Sequence, residues 1–561
     1  MTPSPYVGQR ISYGGAVCTV RYVGPVAGTT GSWLGIEWDD ATRGKHDGSH
    51  KGVRYFSCLS RSPTAASFVR PTRPADKRLS FIAALREKYA SEAPQLADGA
   101  PIVISGKVAE EMGFDKVRRK LARLDELRVV LLDGMRVASA VDEADGARVA
   151  ETCPSIAQLD LSRNLLERLG PVLDICAELP ALRHLSLNGN RFQHVADDTS
   201  LADDAAKAFG GVDELALGET LLGWEELCRI ASLCPSLRTL AAGANQLSCL
   251  PAADYGGLAT TLTSINLEYN DFKAVSDLAG LTSLRALRNL HLKGNAIAAM
   301  AAPGAAAPTF PPALQYLDVS YNDIRDWAFV DALAAHFPGL TGLRIAHNPV
   351  YDGRDAGAEA AVVSWEESYM ITIGRLACLR SVNFTQVTAE DRKNAETFYL
   401  SRIAKQLAAV PESAEHGVLA SHPRYRELCR IHGAPDVIRR SEVNPAFLEA
   451  RLVAVRFRRE GGPDRAARIP RALDIYSVRA IAGRLFGLSP LRLRLVWETD
   501  EWDPVAGYDE RDADDDAPHR ADGSPGQPGR WLKREVELTH GPKQLGYCVD
   551  GMDVRIRVEP S

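Results

Sequence analysis

The sequence predicts a multidomain chain: a small all-β domain, an α/β leucine-rich-repeat solenoid, and a C-terminal β-grasp domain. Three observations carry this. The first 75 residues are rich in glycine, aromatic and β-branched residues broken by turns. The middle repeats a Leu-x-Leu-x-x-Asn pattern, with steps of 25, 25, 27 and 26 residues through Asn245, Asn270, Asn295, Asn322 and Asn348. After about residue 450 the apolar period changes to two. At roughly 100–200 residues per domain, 561 residues suit three to five units.

The first unit, residues 1–75, ends at Pro71 and Pro74, which oppose both helix and ladder continuation. Residues 76–120 read as linker helices, because Phe81, Ile82, Leu85 and Tyr89 fall on one helical face. The repeats then occupy 121–410. Leu127–Met135 opens the array, and Asn164 and Asn190 continue it. Thr220 takes the asparagine position in a degenerate copy. Alternate apolar residues enter the core, while each buried Asn amide bonds backbone groups of neighbouring turns. No repeat can bury its own face, so the array is one cooperative body. Ala298–Pro312 reads as a surface loop, Glu390–Gln406 as a polar helical C-terminal cap, and 411–448 as a helical linker.

In the last unit, 449–561, three alternating runs read as strands: Val453, Val455 and Phe457; Leu491, Leu493 and Leu495; Val554, Ile556 and Val558. Val478, Ile481, Ala482 and Leu485 lie at helical spacing between the first two. An acidic insertion spans 498–530; from Glu498 to Pro518 it holds ten acidic residues and one Arg. It reads as a solvated loop, with a partner-binding arm as the alternative.

Composition narrows the function. With 45% hydrophobic and 25% charged residues the chain is not broadly disordered. A net charge of −6 argues against a dedicated nucleic-acid binder. No apolar run approaches the ~20 residues of a membrane span, and Met1–Arg10 has no signal-peptide core. Ten scattered cysteines form no CxxC pair, so neither a zinc site nor a disulfide framework is expected. These traits place the chain in a reducing compartment. No Ser/His/Asp, Cys/His or paired-carboxylate constellation stands out, so no catalytic residue, cofactor or metal is expected and the chain reads as a non-enzyme.

The densest motif is Gly44-Lys45-His46-Asp47-Gly48-Ser49-His50-Lys51-Gly52, followed by Tyr55-Phe56 and preceded by Trp33-Leu34-Gly35-Ile36-Glu37-Trp38. It contains no Gly-x-x-x-x-Gly-Lys-Ser/Thr phosphate loop. Here residues 6–73 resemble the CAP-Gly family, whose hallmark is a Gly-Lys-Asn-Asp-Gly loop after a Trp-x-Gly strand. The resemblance implies a CAP-Gly barrel that captures acidic C-terminal tails ending in an aromatic residue, as on α-tubulin. It places Lys45, His46, Asp47 and Gly48 in the recognition loop, with Trp33, Phe68 and Arg70 around the groove. Nine Lys/Arg against four Asp/Glu make residues 1–75 about +5, which suits an acidic tail. Two departures matter. His46 replaces the usual Asn, so pH sensitivity is expected. Ala27-Gly28-Thr29 offers no aromatic before Trp33, so a shallower groove is expected. Trp38 reads as a core residue.

The order CAP-Gly, leucine-rich repeats, ubiquitin-like domain resembles the tubulin-folding cofactor E family. That resemblance implies binding of the α-tubulin tail by the CAP-Gly domain and of its body by the repeats, promoting assembly or dissociation of the αβ-tubulin heterodimer. It implies other tubulin-folding cofactors as partners, and a cytoplasmic, cytoskeleton-associated location. The alternatives are a microtubule plus-end adaptor and a ubiquitin-linked substrate adaptor whose last domain docks on the proteasome. Neither nucleic acid nor membrane is an expected partner.

Overall fold

The computed structural model describes residues 4–90, 123–142, 147–195, 201–352, 364–437, 451–504 and 531–560, together with the strands Val103–Ile104 and Lys107–Val108. Most of the expected acidic insertion and most of 91–120 lie outside these residues. The chain divides into two compact units, Met1–Ile438 and Arg439–Ser561.

The first domain is a four-stranded antiparallel sheet of β1 (Arg10–Tyr13), β2 (Ala16–Pro25), β3 (Ser32–Trp38) and β6 (Ala66–Val69), in that order. Gly14 and Gly15 join β1 to β2 with φ of +61° and +78°, the two left-handed residues that a tight hairpin turn requires. A small hairpin, β4 (Ser49–His50) and β5 (Val53–Arg54), carries the end of the glycine-rich loop. Ile11, Tyr13, Cys18, Val20, Leu34, Ile36, Trp38 and Val69 form the core.

The solenoid is built on an eleven-stranded sheet running from Val129–Leu131 to Thr385–Gln386, parallel except for its last strand. Its strands pair so that Leu159, Leu185, Leu215, Leu240, Ile265, Leu290, Leu317 and Leu343 stack as one buried row. The turn after each strand leaves backbone groups that no strand can satisfy, and the buried asparagines satisfy them. Asn270 Oδ1 accepts the N–H groups of Asn245 (2.9 Å) and Leu247 (3.1 Å), while its Nδ2 donates to Ala242 O (3.1 Å) and Leu267 O (3.0 Å). Asn164, Asn190, Asn245, Asn295, Asn322 and Asn348 bond neighbouring turns in the same manner. Thr220 keeps one of these bonds, from its hydroxyl to Leu217 O (2.9 Å).

Both ends of the array are sealed. Phe81, Ile82, Ala84 and Leu85, read from sequence as linker, are buried in the solenoid core, and Leu79–Ser80 pairs with Val137–Ser139. An apolar helical face beside an open solenoid end is covered by that end, which is why this segment caps the array. At the other end, Ala389–Ala408 packs on Trp365–Arg375. Tyr399, Leu400, Ile403 and Leu407 share a cluster with Leu428 of Tyr425–His432, so the expected linker helices from 411 pack on this cap. Phe310, inside the expected surface loop, is buried against Phe337 with ring centroids 4.6 Å apart.

Among the described residues the second unit is a five-stranded sheet with one α-helix, Ile475–Phe486. In spatial order its strands are Arg465–Pro470, Leu452–Arg458, Asp553–Pro560, Leu493–Pro504 and Trp531–Glu537. The first and last strands in sequence lie side by side and parallel. Leu491 is 89% exposed, and the third strand starts at Leu493 instead. Arg465–Pro470 and Trp531–Glu537 were not evident from alternation, because charged residues interrupt both runs.

The first domain is docked on the solenoid through Arg10, which has no solvent exposure. Its guanidinium forms a two-pronged pair with Asp39 (2.5 and 2.6 Å) and donates to Asn164 O (3.1 Å) and Gly189 O (3.2 Å) in the turns after two solenoid strands. Glu167 accepts from Arg10 N (2.9 Å) and Arg78 (3.2 Å), and Tyr6 also bonds it. Gln193 bonds Gly8 O, and Arg61 pairs with Asp271.

Two outcomes follow from this packing. Arg10→Ala leaves Asp39 with only its long contact to Arg191 (4.0 Å) and two carbonyls without a donor, so it is expected to cost about 3–5 kcal/mol and to release the first domain as a separately melting unit in calorimetry. His422 is buried in the cap between Tyr399 OH (2.7 Å to Nδ1) and Gln406 Oε1 (2.6 Å to Nε2). Burial, with Arg375 and Arg402 nearby, lowers its pKa from 6.5 to about 4. Between those values the unfolded chain binds a proton that the folded chain refuses, so stability falls as pH drops through this window, by about 2 kcal/mol. Melting at pH 7 and pH 4.5 should show a smaller acid-dependent loss in His422→Asn than in the unsubstituted chain.

Candidate functional site

The glycine-rich loop runs along β6. Lys45 N and His46 N both donate to Ala66 O (2.7 and 3.2 Å), and Ala66 N donates back to His46 O (2.8 Å). This backbone anchoring leaves the Lys45 side chain exposed. Gly44 must be a glycine here, since a Cβ would lie 2.1 Å from Thr64 O. Gly48 has φ +97°, and its Cβ would lie 2.1 Å from Phe56 O, so the turn closes only without a side chain.

A groove of about 430 Å³ opens beside the loop. Trp33, Lys45, His46 and Phe68 line it, joined by Arg43, His50, Trp38 and Arg73. Phe68 is the hub of its aromatic wall: His46 stacks on it at 4.8 Å, and Tyr22, Tyr55, Phe56 and His50 meet it edge-on. Trp33 is fixed from two sides. Its Nε1 donates to Thr29 Oγ1 (2.8 Å), and the Arg70 guanidinium lies over its ring at 3.7 Å. Thr29 thus steadies the groove wall from a loop that carries no aromatic.

His46 Nδ1 accepts the Gly48 N–H at 3.0 Å, which places the ring proton on Nε2 as a donor. Burial, reinforced by His50, holds its pKa below the ordinary histidine value despite Asp47. A neutral Nε2–H can donate one hydrogen bond to a carboxylate, as an Asn amide can.

Of the seven candidate residues, Trp33, Lys45, His46 and Phe68 converge on the groove, and Arg70 braces Trp33 from outside it. Asp47 and Gly48 do not line it. Asp47 accepts from Arg54 (2.6 Å) and from Ser49 N (3.1 Å), which hold its carboxyl below the usual carboxylate range. It shapes the loop. Trp38 is a core residue against Tyr13, with one edge reaching the groove and Arg43 over its ring at 4.8 Å. Arg43, His50 and Arg73 escaped sequence reasoning, although the local excess of positive charge pointed to such residues.

A CAP-Gly domain model matches residues 7–74, and a leucine-rich repeat model matches residues 312–326. The chain is 30% identical over 512 residues to tubulin-specific chaperone E of Bos taurus, covering 88% of this chain and 93% of that protein. It is 30% identical over 519 residues to tubulin-specific chaperone E of Rattus norvegicus, covering 89% and 93%. To tubulin-folding cofactor E of Arabidopsis thaliana it is 27% identical over 510 residues, covering 87% and 91%.

Gly48→Ala is expected to break the loop while leaving the solenoid folded. The strain and the clash with Phe56 O should cost at least about 2 kcal/mol in the first domain, read as loss of the stacked His46 ring's shifted NMR signals.

Proposed function

The chain belongs to the tubulin-specific chaperone E family, and from that premise we propose that it binds α-tubulin at two places and uses that grip to promote assembly or dissociation of the αβ-tubulin heterodimer. The observation that carries the proposal is a cationic, aromatic-walled groove fastened to a repeat solenoid through Arg10. Lys45, Arg43 and Arg73 draw an acidic tail, Trp33 and Phe68 supply the apolar wall for its terminal ring, and the His46 Nε2–H donates to a carboxylate. Asp47, Gly48 and Arg70 hold that arrangement in place.

The solenoid's strand face offers Asp160, Glu214, Glu268, Lys293 and Arg344 to the partner's body, while Asp318 is buried beneath it and braces Arg344 (3.2 Å). Two sites on one unit act at a high effective concentration, so a weak tail contact and a weak body contact together hold a subunit. A grip that favours free α-tubulin over the heterodimer shifts that equilibrium by its difference in affinity, with no catalytic residue of its own. In the last unit the strand order, with first and last strands parallel at the centre and one helix after the second strand, supports a ubiquitin-like β-grasp reading. That domain would meet other tubulin-folding cofactors or, in the alternative reading, the proteasome. A cytoplasmic, cytoskeleton-associated location goes with these partners.

Size-exclusion chromatography of αβ-tubulin with the chain is the test. The expected result is a complex holding α-tubulin, with β-tubulin released, and a Lys45→Ala/Phe68→Ala variant whose yield falls at least about tenfold. Co-elution with an intact heterodimer would favour the plus-end adaptor instead.

A further inference from the structure

A second concave site lies at the opposite ends of the solenoid strands from the turns that hold the first domain. The residue just before a strand contributes to it in successive repeats: Arg183, Asp213, Arg238, Thr263 and Arg288 precede the strands that start at His184, Glu214, Thr239, Ser264 and Asn289. Each is locked to the next by a regular backbone pattern. Arg238 N and Thr239 N both donate to Asp213 O, Thr263 N and Ser264 N to Arg238 O, and Arg288 N and Asn289 N to Thr263 O. With Arg285 these residues line a cleft of about 790 Å³, larger than the 430 Å³ groove of the first domain.

The charge in this cleft is uncompensated. Four arginines line it against one carboxylate, Asp213. Arg183 donates to Leu182 O and Gly211 O (both 3.1 Å). Among the described residues, Arg238, Arg285 and Arg288 make no ion pair and no side-chain hydrogen bond. On a chain of net charge −6, unpaired guanidinium groups gathered along one wall form a local positive field.

We propose that this cleft binds an extended acidic polypeptide segment, apart from the groove beside the glycine-rich loop. At about 4.8 Å per strand, Arg183 to Arg288 spans roughly 19 Å, the reach of about six extended residues. Guanidinium groups pair with carboxylates in a two-pronged geometry, while the hydroxyls of Ser236 and Thr263 are spent on the backbone, donating to Gly210 O (2.8 Å) and Arg238 O (3.1 Å). Nucleic acid fits less well. No aromatic side chain lines the cleft for a base to stack on, and Asp213 in mid-row opposes a continuous phosphate chain. A polypeptide can place a neutral residue opposite Asp213.

The test uses the full chain and an amidated polyglutamate peptide of about ten residues, which lacks both the free carboxyl terminus and the aromatic residue suited to the first-domain groove. Binding is followed by fluorescence anisotropy. Lys45→Ala should bind the peptide as the unsubstituted chain does, whereas Arg238→Ser/Arg285→Ser/Arg288→Ser should bind at least about tenfold more weakly, with an unchanged melting temperature. Equal binding by the triple variant would overturn the proposal, as would no binding by the unsubstituted chain. Tighter binding of an oligothymidylate of equal charge would overturn it in favour of nucleic acid. Should the triple variant fail to fold, phenylglyoxal labelling of the unsubstituted chain decides: the peptide must protect Arg238 and Arg288, and their unaltered labelling would refute the site.

Discussion

Arg10 is buried between the first domain and the solenoid, where a charge must be neutralised and hydrogen-bonded in place. Asp39 supplies the neutralisation from the first domain, and on the solenoid side Asn164 O and Gly189 O each accept from the guanidinium. The same carboxylate also faces Arg191, whose burial lowers its pKa. Were the halves to part, the Arg10–Asp39 pair would stay with the first domain, but two bonds to solenoid carbonyls and the Arg191 contact would be lost. The groove therefore keeps a set position relative to the repeats.

Those two carbonyls are available because of how the repeat turns. The residue before each asparagine, and before Thr220 in the degenerate copy, takes a left-handed conformation: Arg163 at φ +50°, Gly189 at +67°, Glu219 at +57°, Ala244 at +55°, Tyr269 at +56°, Gly294 at +70°, Tyr321 at +56° and His347 at +60°. Only two of the eight are glycine. The others bear a strain that the asparagine bonds offset, and in return each places a side chain at the rim. Tyr269 and Tyr321 flank Lys293 there, and Tyr321 stacks on His347 at 4.1 Å. The core asparagines thus fix the backbone, and the residues around them are free to carry recognition.

Much of this architecture was legible because its signals are local. The asparagine spacing reports a turn that must satisfy the same backbone groups each time, and the Trp33 and Gly48 motifs report an aromatic wall and a side-chain-free turn. What escaped depended on partners far away in sequence. Phe81–Leu85 has an ordinary amphipathic pattern, and only the open solenoid end decides that it is a cap. Arg10 is one arginine among many until Asp39 and the Asn164 turn enclose it. Asp47 looked like a recognition residue because it sits in the motif, yet Arg54 turns its carboxylate to holding the loop. Leu491 fitted the alternation and is exposed, since the strand begins after a short turn at Pro490–Arg492.

The central claim is that groove and solenoid engage one tubulin subunit together. Hydrogen–deuterium exchange of the full chain, titrated with αβ-tubulin, tests it directly. The account predicts protection of the loop at residues 44–50 and of the solenoid strands from Thr239 to Arg344, rising with the same tubulin dependence. Protection of the loop alone, or of the strands alone, would contradict it.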